Sequence, residues 1–206
     1  NIKYKFFNWL NMQAKLLDTI KDSGIVAVDS YIAPLDFYRK ISAVTRTPVY
    51  IDDNKRIDYS RGVLLNGNIY AKSLNYPVKK GSVYMLGPEY ALLRKEFWAV
   101  PYKKINKNIR NVLITFGGED IRGMTAKVIK LLSLEYAGLK KNVIISKGFT
   151  DYKKLMGLGG RDVVFAFNPS AGRMKKLMLE ADLAVTAGGQ TLHELLRTGI
   201  PAIVIA

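Results

Sequence analysis

Leu10, Ala14, Leu17 and Ile20 recur at helical spacing, so Phe7 to Lys21 reads as an amphipathic helix that Ser23-Gly24 closes. The period then shortens. IVAVDSY is a compact apolar run and predicts a buried strand over Ile25–Asp29. PLDFYRKISAV predicts a helix with Pro34 near its start, where the fixed φ of proline suits the first turn. PVYIDD and GVLLN predict strands at Val49–Ile51 and Val63–Leu65. Residues 66–98 are less regular. NGNIYAKSLNY reads as loop and short helix, and SVYMLGPEYALLRKEF as a short strand, a Gly87-Pro88 turn and a helical piece. VPYKKINKNIRN is polar, basic and without periodicity, as a linker would be.

A second alternation begins at Asn111. NVLITF predicts a strand over Val112–Phe116, GGED a turn, and MTAKVIKLLSLEYAG a helix. KNVIIS, DVVFAF and LAVTAGG predict strands, separated by helices in TDYKKLMGLG and AGRMKKLMLEA. TAGGQTLHELLRTGIPAIVIA ends the chain as strand end, glycine turn, helix and strand. Strand and helix alternate in both halves, which is the pattern of an α/β fold with parallel sheets. The expected organisation is an N-terminal Rossmann-like domain over 1–100, a linker over 101–110 and a second Rossmann-like domain over 111–206. No internal repeat and no low-complexity tract interrupts it.

Ligands of open α/β sheets sit beyond the carboxyl ends of the strands. The candidate residues are therefore Asp29-Ser30-Tyr31, Asp52-Asp53, Gly117-Gly118-Glu119-Asp120, Asn168-Pro169-Ser170 and Gly188-Gly189-Gln190-Thr191.

Composition narrows the chemistry. Among 206 residues there is no cysteine, which excludes disulfides, thiolate metal sites and thiol catalysis. The single histidine, His193, excludes an all-histidine metal site, and neither a metal nor a cofactor is expected. No window has the apolar length of a membrane span and no signal-peptide pattern is present, so no membrane span and a cytoplasmic location are expected. The net charge of +15 fits a nucleic acid, an anionic membrane or a phosphorylated small molecule. The basic residues are scattered, in pairs such as Lys79-Lys80 and Lys140-Lys141, and form no polybasic run. That favours solvated surface first and a basic cleft for a nucleotide diphosphate next, ahead of nucleic acid.

Each constellation has a functional and a structural reading. In AGGQTLHE, Gly188 and Gly189 allow close backbone approach, and the helix start that follows suits a phosphate. Glu194 would then lie one turn inside, placed for ribose hydroxyls. The same residues also fit a capping box, with Thr191 at the N-cap and Glu194 at N3. In TFGGED, the acidic pair Glu119 and Asp120 would repel a phosphate, so a hinge, wall or tight turn is expected. Asp29 and Tyr31 can orient a sugar or a water molecule, or cap and pack. Asp52 and Asp53 are a weak metal signal and a good turn start. Arg94 can reach a diphosphate or sugar as a forked donor, or form an intrahelical or interdomain ion pair. His193 is expected to face solvent or pack in part.

VDSY, YIDD, LLNGNIYAKSLNY, LGPEYALLRKEF, TFGGED with MTAKVIKLL, and AGGQTLHELLRTGIPAIVI occur here in one order from Ile25 to Ala206. Together they resemble the PseG/SpsG type of nucleotide-sugar enzyme, whose type member hydrolyses UDP-2,4-diacetamido-2,4,6-trideoxy-β-L-altropyranose in pseudaminic acid biosynthesis. The resemblance implies a GT-B fold akin to the glycosyltransferase MurG, with two Rossmann-like domains and a nucleotide held mostly by the second. It implies metal-independent attack of water on the anomeric carbon, releasing UDP. By that pattern Gly188, Gly189, Gln190, Thr191 and Glu194 hold diphosphate and ribose, and Phe167 and Asn168 meet the uracil. Asp29 and Tyr31 are the catalytic candidates facing the sugar, with Arg94, Gly117 and Gly118 in the cleft.

Two departures from the family pattern matter. Glu119 stands where the family has Ser or Thr, and Ile121 where it often has Pro. The family's general base is a histidine in a glycine-rich loop after its first strand, and His193 does not occupy that position. The chain therefore reads as the middle of a longer protein, lacking elements at both ends; as it stands it is expected to bind a nucleotide weakly and not to catalyse. The competing functions are a GT-B glycosyltransferase with a UDP-sugar donor and, from another class, a non-catalytic polyanion-binding module. Oligomeric state is not readable.

Overall fold

The computed structural model describes residues 3–150 and 152–205, and the chain divides into two compact units, Asn1–Leu92 and Leu93–Ala206. Ala206 and Asp151, which fall in the expected closing strand and in a predicted helix, lie outside the described residues.

The first unit contains helix α1 (Gln13–Ile20), strand β1 (Ile25–Asp29), helix α2 (Leu35–Val44), and strands β2 (Thr47–Ile51), β3 (Gly62–Asn66) and β4 (Ser82–Leu86). The strands form one parallel sheet in the order β1-β2-β3-β4. Helix α1 starts six residues later than the apolar period suggests. Asn11 N–H bonds back to Asn8 C=O, so a turn closes the chain just before the helix begins. Helix α2 starts after Pro34 and carries Asp36 in its first turn, where a carboxylate suits the helix dipole. Its inward face, Phe37, Tyr38 and Ile41, packs with Leu16, Leu17 and Ile20 of α1 on Val26, Val28, Tyr50 and Leu64. Tyr38, Tyr50 and Tyr59 form a compact aromatic cluster with centroid distances of 5.1–5.3 Å. Burial holds the Tyr50 phenol up at about 12. On the opposite face Ile25 and Val83 are exposed and Val49 and Val63 half-buried.

The second unit contains β5 (Asn111–Thr115), α3 (Met124–Glu135), β6 (Lys140–Ile145), α4 (Tyr152–Met156), β7 (Val163–Phe167), α5 (Ala171–Glu180), β8 (Leu183–Ala187), α6 (Gln190–Thr198) and β9 (Ala202–Ile205). All strands are parallel, in the order β7-β6-β5-β8-β9. This is a doubly wound sheet with its order reversing between β5 and β8. Central strands buried on both faces explain the continuous apolar runs read in the sequence. Leu113 and Ile144 pack under α5 and α6 with Met174, Leu177, Met178 and Leu195. Val112, Ile114, Val143 and Ile145 face the other way, onto Val128, Ile129, Phe149 and Leu155. The α/β class with two parallel sheets, read from strand–helix alternation, is the architecture observed.

Residues 101–110 contain neither helix nor strand and are fastened to the second unit. Asp182 is the anchor: its carboxylate accepts from Asn106 Nδ2 at 2.5 Å and from the N–H groups of Arg110 and Asn111 at 2.9 Å each.

Candidate functional site

The reversal between β5 and β8 leaves a crevice at the carboxyl ends of these strands, because their following segments run to opposite faces of the sheet. After β5 the chain makes the turn Gly117–Asp120. After β8 it passes Gly188 and Gly189 into α6. Gly189 is the N-cap of α6, at φ 125° and ψ −168°, a conformation open to glycine and costly for residues with a Cβ. The first N–H groups of a nine-residue helix thus open beside the crevice.

A cavity of about 400 Å³ lies here, within the size range of small-ligand sites. Arg94, Gly117, Gly118, Asn168, Pro169, Gln190, Thr191 and Glu194 all line it, so eight sequence candidates meet in one place. Thr115 and Ser146 complete the polar lining and were missed; both are the first polar residues met at the ends of apolar strands. Ser146 Oγ donates to Gly117 C=O at 2.9 Å and ties the two loops together. Gly188 lines the adjoining cavity, about 620 Å³, with Phe116, Met124 and Ala187. Phe167 ends β7 with its ring half-exposed and edge-on to Tyr152, at a centroid distance of 6.0 Å; it does not line the cavity. Asn168 turns the chain at a φ of 40°. His193 is half-buried and points no group into this lining.

Glu194 is the chemical centre of the arrangement. Its side chain is 5% exposed, and both carboxylate oxygens accept from one guanidinium: Arg94 Nε to Oε1 at 2.6 Å and Nη2 to Oε2 at 2.7 Å. This bidentate geometry is the strong form of a charge-assisted pair. It holds Arg94 above its ordinary range, the hydrogen bond to Glu194 outweighing burial. The Arg94 ion pair is therefore neither intrahelical nor interdomain; both partners belong to the second unit.

The capping-box reading is corrected by this geometry. Helix α6 starts at Gln190, two residues earlier than the box requires, so Thr191 lies inside the first turn. The N-cap is Gly189, which has no side chain to cap with, and the Glu194 carboxylate is turned to Arg94 rather than back to the helix start. The turn after β5 behaves as the acidic pair suggests. Asp120 accepts from Met124 N–H and Thr125 N–H, both at 2.8 Å, and so fills the start of α3 that a phosphate would need.

Asp29 and Tyr31 lie in the first unit at the end of β1. The capping and packing alternatives fail for both. Helix α2 has no side-chain cap, and Ser30 Oγ, not Asp29, accepts from the N–H groups of Ile32 and Ala33. Tyr31 is exposed and donates a short hydrogen bond to Asp53 Oδ2. That bond is the main cause holding its phenol at about 12. A polar chain continues inward. Asn68 Nδ2 donates to Asp53 Oδ1 at 3.2 Å and to Asn66 Oδ1 at 3.0 Å; Asn66 Nδ2 donates to Tyr76 Oη at 3.1 Å; Tyr76 Oη donates to the buried Asp52 Oδ2 at 2.6 Å. Burial, and next the bond to Asp52, push the Tyr76 phenol well above its ordinary range. Asn66, Asn68 and Tyr76 were not singled out in the sequence; Asp52 and Asp53 serve this network. Among the described residues no group of three or more acidic or histidine side chains is placed to hold a metal ion, and no helix is long and apolar enough to cross a membrane.

No protein-family model matches the chain. Its sequence is 27% identical over 204 residues to the uncharacterized protein MJ1062 of Methanocaldococcus jannaschii, a match that takes in 92% of this chain and 42% of that protein. It is 26% identical over 197 residues to the spore coat polysaccharide biosynthesis protein SpsG of Bacillus subtilis, taking in 90% of this chain and 56% of SpsG. The chain is thus similar, at a distance, to a polysaccharide-biosynthesis protein, and it spans about half the length of the curated relatives it matches.

Proposed function

We propose that the chain binds a UDP-sugar and belongs to a UDP-sugar hydrolase of surface polysaccharide biosynthesis, acting on a UDP-linked diacetamido-trideoxy sugar. The observation that carries this reading is the Gly188-Gly189 entry to α6 at the β5/β8 reversal, with a clamped Glu194 carboxylate one turn inside the helix. The helix start and its dipole suit the diphosphate, and Gly188 and Gly189 let it approach the backbone. Gln190 and Thr191 supply polar side chains beside it. Glu194 repels phosphate and accepts from neutral hydroxyls, so it suits the ribose. Phe167 offers an exposed ring, and Asn168 a polar edge, for the uracil.

In the proposed hydrolysis a water oxygen bonds to the anomeric carbon while the bond from that carbon to the diphosphate oxygen breaks. UDP leaves with the electron pair, and the water gives its proton to a base. In the first unit, Asp29 is an exposed carboxylate able to orient a hydroxyl or water, and Tyr31 a neutral phenol braced by Asp53. The role of SpsG in polysaccharide biosynthesis supports the pathway class. A glycosyltransferase would use the same donor site, with a sugar hydroxyl in place of water.

The test is thermal melting in low salt with UDP, inorganic phosphate or an oligonucleotide at equal concentration. A rise with UDP alone supports the nucleotide-sugar reading. A rise with the oligonucleotide that collapses as salt is added makes the chain a polyanion binder instead. Incubation with the UDP-diacetamido sugar separates the enzymes: UDP release without an acceptor supports the hydrolase, and release only with an acceptor supports the transferase.

A further inference from the structure

We infer that Asp53 is a positioning residue that takes the Tyr31 hydroxyl proton, so that Tyr31 meets the ligand as a hydrogen-bond acceptor and recognises a neutral O–H or N–H donor of the sugar; this deepens, and rests on, the reading of Tyr31 as a sugar-facing group. Strands β1, β2 and β3 are neighbours in one parallel sheet, with Asp29 opposite Ile51 and Ile51 opposite Leu65. Tyr31, Asp53 and Asn66 follow these three residues by two, two and one positions, and so gather at one edge of the sheet. The hydrogen bonds among them have a fixed direction. It starts at the backbone: the Asn68 N–H can only donate, and it donates to Asn66 Oδ1 at 3.0 Å. Asn66 is fully buried, so its amide is held with the oxygen toward residue 68 and the nitrogen toward Tyr76. Asn68 then turns its own amide nitrogen to Asn66 Oδ1 and to Asp53 Oδ1, at 3.0 and 3.2 Å. The last link is Asp53 Oδ2. A carboxylate only accepts, so the proton between residues 53 and 31 belongs to Tyr31.

A phenol has one proton. With that proton committed to Asp53, the exposed Tyr31 oxygen offers only lone pairs to a group that approaches from solvent. To donate outward, the hydroxyl would have to exchange a carboxylate for a neutral acceptor, and charge-assisted bonds are about twice as strong as neutral ones. The same bond is the main cause that holds the phenol at about 12, so Tyr31 stays protonated and neutral. Asp29 and Asp52 add to this through charge alone. The cations that follow Asp53, Lys55 and Arg56, donate to the carbonyls of Asn75 and Ala33 at 3.0 and 2.7 Å. Three carboxylates around the phenol repel an anion. The group that fits is thus a neutral donor, a sugar hydroxyl or an acetamido N–H, and not a phosphate.

The experiment has two arms, both on the 206-residue chain. The first follows Tyr31 ionisation by phenolate absorbance, taken as the difference between each chain and the same chain carrying Tyr31→Phe. Wild-type Tyr31 is expected to ionise at about 12. In Asp53→Asn the new amide keeps its oxygen toward Asn68 and turns its nitrogen to residue 31, so the phenol should fall back to about 10. Asp53→Glu keeps the charge, displaces the oxygens by one methylene and should fall part of the way; it serves if the asparagine variant unfolds. Asp29→Asn, which removes charge alone, should shift the phenol least. No shift in either residue-53 variant, or an equal shift in Asp29→Asn, overturns the positioning role. The second arm is calorimetric titration with UDP and with the UDP-linked diacetamido-trideoxy sugar. Tyr31→Phe and Asp53→Asn should each weaken the sugar nucleotide about fivefold, the worth of one neutral hydrogen bond, and leave UDP unchanged. Unchanged sugar-nucleotide affinity in either variant overturns the ligand assignment even where the first arm succeeds. A wild-type chain that binds neither ligand overturns the nucleotide-sugar reading, while the first arm still decides the role of Asp53.

Discussion

Gly148 lies against the backbone of Gly118, so close that a Cβ on residue 148 would sit 2.7 Å from the Gly118 carbonyl oxygen and 2.8 Å from Glu119 Cγ. The segments after β5 and β6 therefore touch directly, and Gly117 and Gly118 wall the candidate cavity on that side. Gly148→Ala must push the turn away, since a carbonyl in a tight turn cannot rotate aside. The expected cost is about 1–3 kcal/mol, the usual penalty of overpacking. UDP affinity should fall with it. Urea unfolding and a UDP titration check both; an unchanged variant would mean that the two loops are not in contact.

The turn itself is held by the two bonds from the α3 start to Asp120, which sits at a φ of 47°. Removing the carboxylate in Asp120→Ala orphans two N–H groups at the helix start. Stability should drop by about 1–2 kcal/mol, as for other lost caps. UDP binding should not weaken, because the start of α3 is occupied by the protein's own carboxylate. Tighter UDP binding by the variant would show instead that the diphosphate competes with Asp120 for α3.

These contacts mark the boundary of what the sequence makes legible. Alternate residues of a central parallel strand face two cores, so Val112–Ile114 and Leu183–Val185 appear as unbroken apolar runs, and the α/β class follows. Glycines after strands identify the loops at the β5/β8 reversal. Partners distant along the chain leave no such trace: Arg94 and Glu194 are 100 residues apart, and Asp52 meets Tyr76 across 24. Local rules also compete. Thr191 and Glu194 satisfy the spacing of a capping box, but Gly189 adopts a backbone angle open to glycine and starts the helix two residues early. The helix read from Phe7 loses its first residues because the Asn8–Asn11 turn breaks the period.

Asp182 supplies a pH test of the 101–110 segment. Burial alone would raise its carboxyl, but the bonds from Asn106, Arg110 N–H and Asn111 N–H, with Lys103 nearby, hold it below the usual aspartate range. A carboxylate with a depressed folded value stabilises the protein above its unfolded pKa, near 4, and loses that contribution as pH falls through the folded value. Asp182→Asn should cost about 1–3 kcal/mol at neutral pH. The gap to the wild-type chain should narrow steadily below about pH 4. Urea midpoints at pH 7, 5 and 3 measure it, and a gap that stays constant with pH would rule out the carboxylate's charge as the cause.

Thr191 separates the two original readings of the closing glycine turn. As the N-cap of a capping box it would stabilise α6, and Thr191→Val would cost about 1 kcal/mol with or without ligand. In the structure the N-cap is Gly189, and Thr191 stands instead in the cavity lining beside Gln190. Valine keeps the branched shape and removes only the hydroxyl. The expected outcome is an unfolding midpoint within experimental error of wild type and a several-fold weaker affinity for UDP, the worth of one lost neutral hydrogen bond. Glu194→Gln should weaken UDP further and also destabilise the chain, because Arg94 loses its charged partner in a desolvated place. A Thr191→Val chain that melts early but binds UDP normally would return residue 191 to a structural role and move the diphosphate away from α6.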